Sequence, residues 1–563
     1  MKHYFNSLRK SLWIVSAICL GMVSCQKDWD DHYSTDYKIV PGSTLAERLS
    51  DGSFGEDAEL FIKVLKNTYF TSSGRILPYS YLDYLDDDQF LTVWLPKASS
   101  LTDEERALYT KANKTYAENV LVSTRFILNH IARFSHPVGG HNADEFFMMS
   151  KKRYVSEIDA IDDVSYIKDK CNIACKNGIL HAIDGKLVYR QSIYEFLTTT
   201  EGYKEVIGDF LEKYTREEVD IERSVEEDID EMGRTTYSDS VIIKRNVLLD
   251  RYGYIEREDS NYVMVIPTPK VWSDKYDSIK KFFDYGYVLG DMSEVSLKAA
   301  DSLQYYWGQQ ILMTDMVFNM NIKNNKSKND SVVSTRFRAN DRKKEKVAYH
   351  TYYNPYSADG LFTKHVVRTE KCSNGRIYIT DEWPFVDSLT INVPLKIEGE
   401  TPAGYKNANL TKPVDIVYRN SGSMKISGEK VLYVIGENGA YNWQLEFPIK
   451  DNLKGKYRFK IALVPDASSG KSNLIHPTVT YNNITIFDPK DPKNPRKDLN
   501  YENDVTKVDT LDFGVVEIPN CDYKSETSRL VLRLKSAMTN SNARNYSSVM
   551  RLDFILLEPV LDE

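Results

Sequence analysis

Nine histidines and six cysteines are spread over 563 residues, and their spacing decides which chemistry the chain can do. The one local histidine pair, His136 and His141, flanks Gly139 and Gly140 with no helix to fix ligand geometry. Cys171 and Cys175 have no second pair at zinc-ligand spacing, and Asp488 and Asp491 lie in a turn that lacks the spacing of a calcium loop. No HExxH, GxSxG or phosphate-loop pattern occurs. The residues therefore offer no catalytic group, no metal site and no cofactor site, and they point to binding, not turnover. Three side chains are candidates for a ligand. His130 follows the apolar run Phe126, Ile127 and Leu128: it either closes hydrogen bonds at the edge of a core or meets a ligand. Tyr441 and Trp443 carry faces that stack on sugar rings, although alternation along a strand also gives such residues a place inside a core.

The N-terminus carries a different chemistry. Lys2, Arg9 and Lys10 precede an apolar run from Leu12 to Val23, too short for the roughly 20 residues of a bilayer span and built like a secretory leader. It ends Gly21-Met22-Val23-Ser24-Cys25, which resembles the lipobox of bacterial lipoproteins, in which the cysteine is lipidated and becomes the new N-terminus. The expectation is a leader over residues 1–24, lipid on Cys25 and an acidic tether over 25–42. Lys27 followed by Asp28, Trp29, Asp30 and Asp31 is similar to the surface-export signal of Bacteroidota lipoproteins, which implies an outer-membrane anchor with the protein facing outward.

Length and charge bound the rest. At about 150 residues per domain the chain holds three or four. A net charge of -8 repels phosphate, which excludes nucleic acid as a partner. The 38 tyrosines suit sugar-binding surfaces and β-sheet faces alike. Cys171, Cys175, Cys372 and Cys521, too few for a disulfide scaffold, read as buried thiols, with a local bridge open to them.

One ordered set of segments occurs twice. Thr44 to Glu47 and Ser192 to Glu195 are capping boxes that start helices. An apolar run stops at Pro96 in the first copy and at Pro267 in the second; "TRFILNHIARFSH" and "QQILMTDMVFNMNI" read as helix-to-strand passages. Asn177-Gly178 and Asn374-Gly375 lead into closing strands, read as hairpin turns with positive φ. This pattern resembles the fasciclin family, over residues 43–190 and, with insertions near Glu217–Glu231 and Asn324–Lys346, over 191–388. The family's histidine box falls on Asn129 and His130; the second copy has Asn319 and Met320 there. The resemblance implies compact α+β domains used in adhesion or ligand binding.

From residue 389 to 563 short alternating runs separated by turn residues indicate an all-β sandwich. The string from Tyr441 through Pro448 to Gly455-Lys456-Tyr457 is similar to galactose-binding-like jelly rolls. The fold class expected is thus α+β: two tandem fasciclin-like domains and a jelly-roll sandwich. Together these resemblances imply a lipid-anchored surface protein that captures a glycan or protein ligand beside a SusC/SusD-like transporter, the alternative being an adhesin.

Overall fold

The computed structural model describes residues 42–72, 74–139, 143–219, 225–229, 235–239, 242–287, 293–322, 325, 330–335, 350–400, 406–408, 414–417, 425–436, 440–441, 443–466, 469–489, 500–526 and 528–561. The leader, Cys25 and the tether before Gly42 lie outside the described residues, as do His141 and Asp491. The chain is mixed α/β with a β-sandwich part and divides into two compact units, residues 1–191 and 192–563. No helix among the described residues is long and apolar enough to cross a membrane.

In the first unit, the Thr44–Glu47 capping box starts helix α1 (Leu45–Ser50) and buries Leu45, Ala46 and Leu49. Helix α2 (Glu56–Lys66) buries Ala58, Phe61, Val64 and Leu65, one stripe at helical spacing. All five residues of strand β1 (Leu91–Leu95) are buried, since both its faces are covered. After helix α3 (Tyr116–Val122) come strands β2 (Ile131–Arg133), β3 (Ile173–Cys175) and β4 (Gly178–Ala182). The sheet order is β2-β1-β4-β3, with β1 and β4 parallel, Leu91 opposite Gly178. Phe61 and Phe126 pack on one side of this sheet; Trp94, stacked on Phe146, packs in a second cluster with Tyr154 and Tyr166.

The second unit repeats this plan before adding the sandwich. Helix α4 (Ile193–Thr199) starts at the Ser192–Glu195 box. Strand β5 (Tyr262–Pro267) is wholly buried. After helix α5 (Glu294–Leu312) come β6 (Val317–Asn319), β7 (Val366–Cys372) and β8 (Gly375–Thr380), ordered β6-β5-β8-β7. Tyr262 lies opposite Gly375 as Leu91 lies opposite Gly178.

The hairpins expected at the Asn-Gly pairs form, one residue earlier than read, and each pair does a further job. Each glycine is the first residue of its strand, so the hairpin loops are Lys176-Asn177 and Ser373-Asn374. A Cβ on Gly178 would sit 2.0 Å from the Leu91 carbonyl oxygen, and one on Gly375 1.8 Å from that of Tyr262: the parallel neighbour leaves room for hydrogen only. Each asparagine is buried and ties three segments together. Asn177 Oδ1 accepts from Leu45 N at 2.8 Å, and its amide donates to the carbonyls of Leu85 (2.8 Å) and Asp87 (2.6 Å). Asn374 accepts from Ile193 N at 2.9 Å and donates to Ile255 (2.7 Å) and Arg257 (2.9 Å). Both first helices are thus held at their first amide by the strand that closes the domain.

Among the described residues the sandwich comprises two six-stranded sheets. One holds β9 (Leu395–Glu398), β11 (Val414–Val417), β12 (Lys430–Val434), β14 (Gly455–Leu463), β18 (Asp509–Ile518) and β20 (Met550–Val560); the other holds β10 (Lys406–Ala408), β13 (Gln444–Ile449), β15 (Leu474–Tyr481), β16 (Ile484–Phe487), β17 (Tyr501–Glu502) and β19 (Leu530–Ser536). The last strand, read from sequence as closing the sandwich, is the hub of its sheet and pairs with β9, β12 and β14. Alternate residues such as Leu445, Phe447, Leu532, Phe459 and Ile555 form the shared core. Cys171, Cys175, Cys372 and Cys521 are all free thiols, and no local bridge forms.

Replacing Asn177 or Asn374 by Ala removes three hydrogen bonds and leaves buried backbone groups unpaired. We expect each change to cost about 2–4 kcal/mol, read as a lower urea midpoint, with Asn177→Ala affecting only the transition of the first unit. A loss below about 0.5 kcal/mol would remove the clamp from this account.

Candidate functional site

His130 is fully buried, and both ring nitrogens are used. Nε2 accepts from Leu187 N at 2.9 Å, so Nδ1 carries the proton and donates to the Phe126 carbonyl at 2.7 Å. Burial lowers its pKa to about 4, and the ring stays neutral. It closes the fold and meets no ligand from solvent. Its neighbour Asn129 is also buried; Oδ1 accepts from Ser150 Oγ at 3.0 Å, and the amide donates to Tyr154 OH at 2.7 Å.

The second copy places this box four residues earlier than its sequence implied. Trp94 N donates to His130 O, and the matching strand residue Val265 donates to Met316 O, both at 2.9 Å. Asp315 and Met316, not Asn319 and Met320, therefore stand where Asn129 and His130 do. Asp315 repeats the pattern of Asn129: it is buried and accepts from Ser334 Oγ (2.7 Å), Tyr352 OH (2.8 Å) and His350 Nδ1. His136, from the local pair, bonds Asp144 and the Arg133 carbonyl.

Trp443 is buried, with Nε1 donating to Ser548 O at 3.0 Å, and belongs to the sandwich core. Of the two readings open to it, packing is the one observed. Tyr441, two residues earlier, is only partly buried, at the start of β13.

The strands of the sandwich run between two different ends. At one end, Lys454, Asn520, Cys521, Tyr523 and Arg529 meet residues 282–286 of the preceding α+β layer. Lys454 N donates to Phe282 O (2.8 Å), Cys521 N to Asp284 O (2.7 Å), Tyr285 OH to Tyr523 O (2.8 Å) and Arg529 to Tyr285 O (3.1 Å). Lys454 also pairs with Asp284 at 2.7 Å, and Leu453 and Cys521 join the apolar core of that layer. Burial pushes the Cys521 thiol up to about 12, so it stays protonated.

The opposite end gathers Tyr441, the connector after Leu463, Asn503 and residues 537–549. Hydrogen bonds knit these together: Ser536 N to Trp443 O, Ala537 N to Leu474 O and Ser547 N to Ser472 O. Beneath them is a buried polar network. Asp466, 4 % exposed, accepts from Ser547 Oγ at 2.9 Å and pairs with Arg551 at 2.9 Å; Asn473 Nδ2 donates to the carbonyls of Ser547 and Val549. On this base the run Thr539-Asn540-Ser541-Asn542-Ala543-Arg544-Asn545-Tyr546 is folded by its own bonds. Asn542 N and Ala543 N donate to Thr539 O, Asn545 N donates to Asn542 O, and Thr539 N donates to Asn542 Oδ1 at 2.6 Å. Asn540, Arg544 and Asn545 are exposed, and Tyr546 is half-buried. Asparagine, serine, arginine and tyrosine on a fixed loop supply adaptable hydrogen bonds and a rigid aromatic face.

A second feature of the sandwich lies at Asp553, a buried carboxylate that accepts from Ser427 N at 3.0 Å. Burial pushes its pKa up to about 6, and the charges of Glu398 and Glu400 add to the shift. Glu398 Oε2 and Glu400 Oε2 are buried without a hydrogen-bond partner among the described residues. Carboxylates of this kind suit a hard divalent cation. However, Lys396 and Ser427 both engage Glu398 Oε1, and no three ligating side chains among the described residues converge as a metal site.

The folded-state pKa of Asp553 lies above the ordinary value, so folding favours the protonated form. That stabilisation is complete below about pH 4 and is lost as pH rises through about 6. In chelator, the chain should lose about 1–3 kcal/mol of sandwich stability between about pH 4 and about pH 7. Asp553→Asn should flatten that slope in thermal melts; an unchanged slope would show that Asp553 does not carry it.

No protein-family model matches the chain, and no curated protein matches it. Partial likenesses to solved structures exist. A family 35 carbohydrate binding module from Clostridium thermocellum is 10% identical over 30% of this chain and 99% of that one, with a TM-score of 0.19. The CBM22-1 xylan-binding domain from Paenibacillus barcinonensis Xyn10C is 16% identical over 30% of this chain and 95% of that one, TM-score 0.20. A GH26-CBM35 β-(1,4)-mannanase from Podospora anserina is 13% identical over 31% of this chain and 29% of that one, TM-score 0.19.

Proposed function

We propose that the chain is a binding protein that captures a carbohydrate at the free end of its sandwich. One observation carries this reading: the loop Thr539–Tyr546, rich in planar amides and hydroxyls, is held in one shape over the buried Asp466–Ser547–Arg551 network. A sugar presents hydroxyls in fixed directions and an apolar ring face, and a pre-formed loop meets both without a large ordering cost. Tyr441 and Tyr546 are the aromatic faces at that end, and Arg544 and the asparagines are the donors.

The cellular setting is part of the same proposal. The leader and Cys25 support a lipid anchor in the outer membrane, and Lys27 with its acidic followers supports a surface position. The two repeated α+β domains, which we read as fasciclin-like, lie between the anchor and the sandwich in the chain. A SusC/SusD-like transporter is the partner that would take up the captured glycan.

Glycan arrays probed with purified residues 26–563, followed by calorimetry on the glycans retained, test the binding. We expect Tyr546→Ala and Arg544→Ala each to weaken binding by about tenfold or more, equivalent to about 1.4 kcal/mol, with unchanged thermal midpoints. No retained glycan, or binding indifferent to both changes, would refute the site.

A further inference from the structure

A hairpin of the first unit, Tyr69–Ser72 paired with Arg75–Ser80, carries apolar side chains in solvent. Tyr69, Ile76 and Leu77 on the hairpin, with Tyr116, Val120 and Leu121 on helix α3 packed against it, are each 37–44 % exposed. Large apolar side chains grouped in this way mark an interaction surface, unlike single ones scattered over a protein. The hairpin is fixed to the body of the unit: Phe70 stacks on Tyr81 at 4.1 Å, and Tyr69 N donates to Asn119 Oδ1 at 2.8 Å. The patch is therefore pre-formed.

The second unit has a hairpin at the same place in the repeat, between its first helices and its wholly buried strand, and there the element is charged. Its strands Thr215–Val219 and Ile242–Asn246 hold Arg216, Glu217 and Arg245 in solvent. The fold alone thus does not ask for apolar residues at this position.

What sets the first copy apart is its closeness along the chain to Cys25. Residues 26–41 reach at most about 55 Å when fully extended. The chain also enters the unit beside the hairpin: Thr44 Oγ1 donates to Asp86 at 2.6 Å, and Tyr79 OH of the hairpin donates to Asp87. Charge does not oppose a lipid surface here. Arg75 is the one charged residue of the hairpin strands, Glu118 on α3 pairs with Lys111 at 2.6 Å, and Asp88 faces Lys176 at 3.4 Å. Tyrosines beside aliphatic side chains suit the headgroup level of a bilayer, and an arginine stem there carries its charge out to water.

We propose that this hairpin and α3 form a membrane-contact surface, which lays Ile76 and Leu77 into the headgroup layer of the bilayer that holds Cys25. The proposal rests on the lipid-anchor reading, because tethering raises the effective concentration of a small patch at the lipid and makes it sufficient.

The test imposes the anchor from outside. Residues 26–563 with an N-terminal hexahistidine are bound to phosphatidylcholine vesicles that contain nickel-chelating lipid. We expect Ile76→Asp/Leu77→Asp to weaken vesicle binding at least about tenfold, with the thermal midpoint retained, and Glu217→Ala to leave it unchanged. On vesicles of brominated lipid, the added tryptophan of Leu77→Trp should be quenched. Equal binding by the double variant, or an unquenched tryptophan, would overturn the proposal. Self-association in solution that the double variant abolishes, with vesicle binding unchanged, would overturn it in favour of a second copy of this chain. Mass spectrometry of the natural chain tests the anchor separately: an unmodified Cys25 would refute that reading, whatever the vesicles show.

Discussion

The joint between the second α+β layer and the sandwich is the contact on which the functional reading depends. It consists of the carbonyls of Phe282, Asp284 and Tyr285, which accept from Lys454, Cys521 and Arg529, with Leu453 and Cys521 buried in the core of the layer. Asp522, 1 % exposed, holds Arg529 at 2.6 Å, and Arg529 also lies over the Tyr481 ring, so the cation that bridges the joint is fixed from the sandwich side. Breaking such a buried pair leaves an uncompensated charge. Leu453 and Cys521 of the sandwich loops are buried in the core of the layer, and this end of the sandwich is covered by it, which is why the ligand surface is proposed at the other end.

The repeated α+β layers are built on a related economy of contacts. In each, a wholly buried central strand pairs in parallel with the closing strand, and a buried asparagine at the start of the closing strand holds the first helix of the domain. The two ends of each repeat are therefore joined through one amide. A parallel pair this close requires glycine at Gly178 and Gly375. Function does not need to reside in these layers for the geometry to be strict; the geometry is what keeps a long chain in register.

Signals that act within a few residues were legible in the sequence. Both capping boxes, the prolines that end the central strands, the helix-to-strand passages and the alternating strands of the sandwich all depend on local spacing, and all appear in the structure. What was missed depends on distant partners. The histidine box of the second copy was placed at Asn319 because "MTDMVFNMN" offers two registers, and only the pairing of Val265 with Met316 decides between them. The Asn-Gly pairs do stand at hairpins, but the second role of each asparagine was not legible because the segments it binds are about 90 to 180 residues away. Trp443 was ambiguous because alternation alone does not say which face is inside, and Asp553 gave no signal because Glu398 and Glu400 reach it from another strand. The run Thr539–Tyr546 was not singled out in the sequence, because the buried network beneath it comes from Asp466, Ser547 and Arg551, which no local spacing connects.

The central claim is that the free end of the sandwich is the ligand surface, and amide hydrogen exchange with and without a retained glycan tests it most directly. The account predicts added protection in residues 537–549 and around Asn473, with no change in residues 519–529 at the covered end. Protection confined to the α+β layers, or to the outer sheet faces, would contradict it.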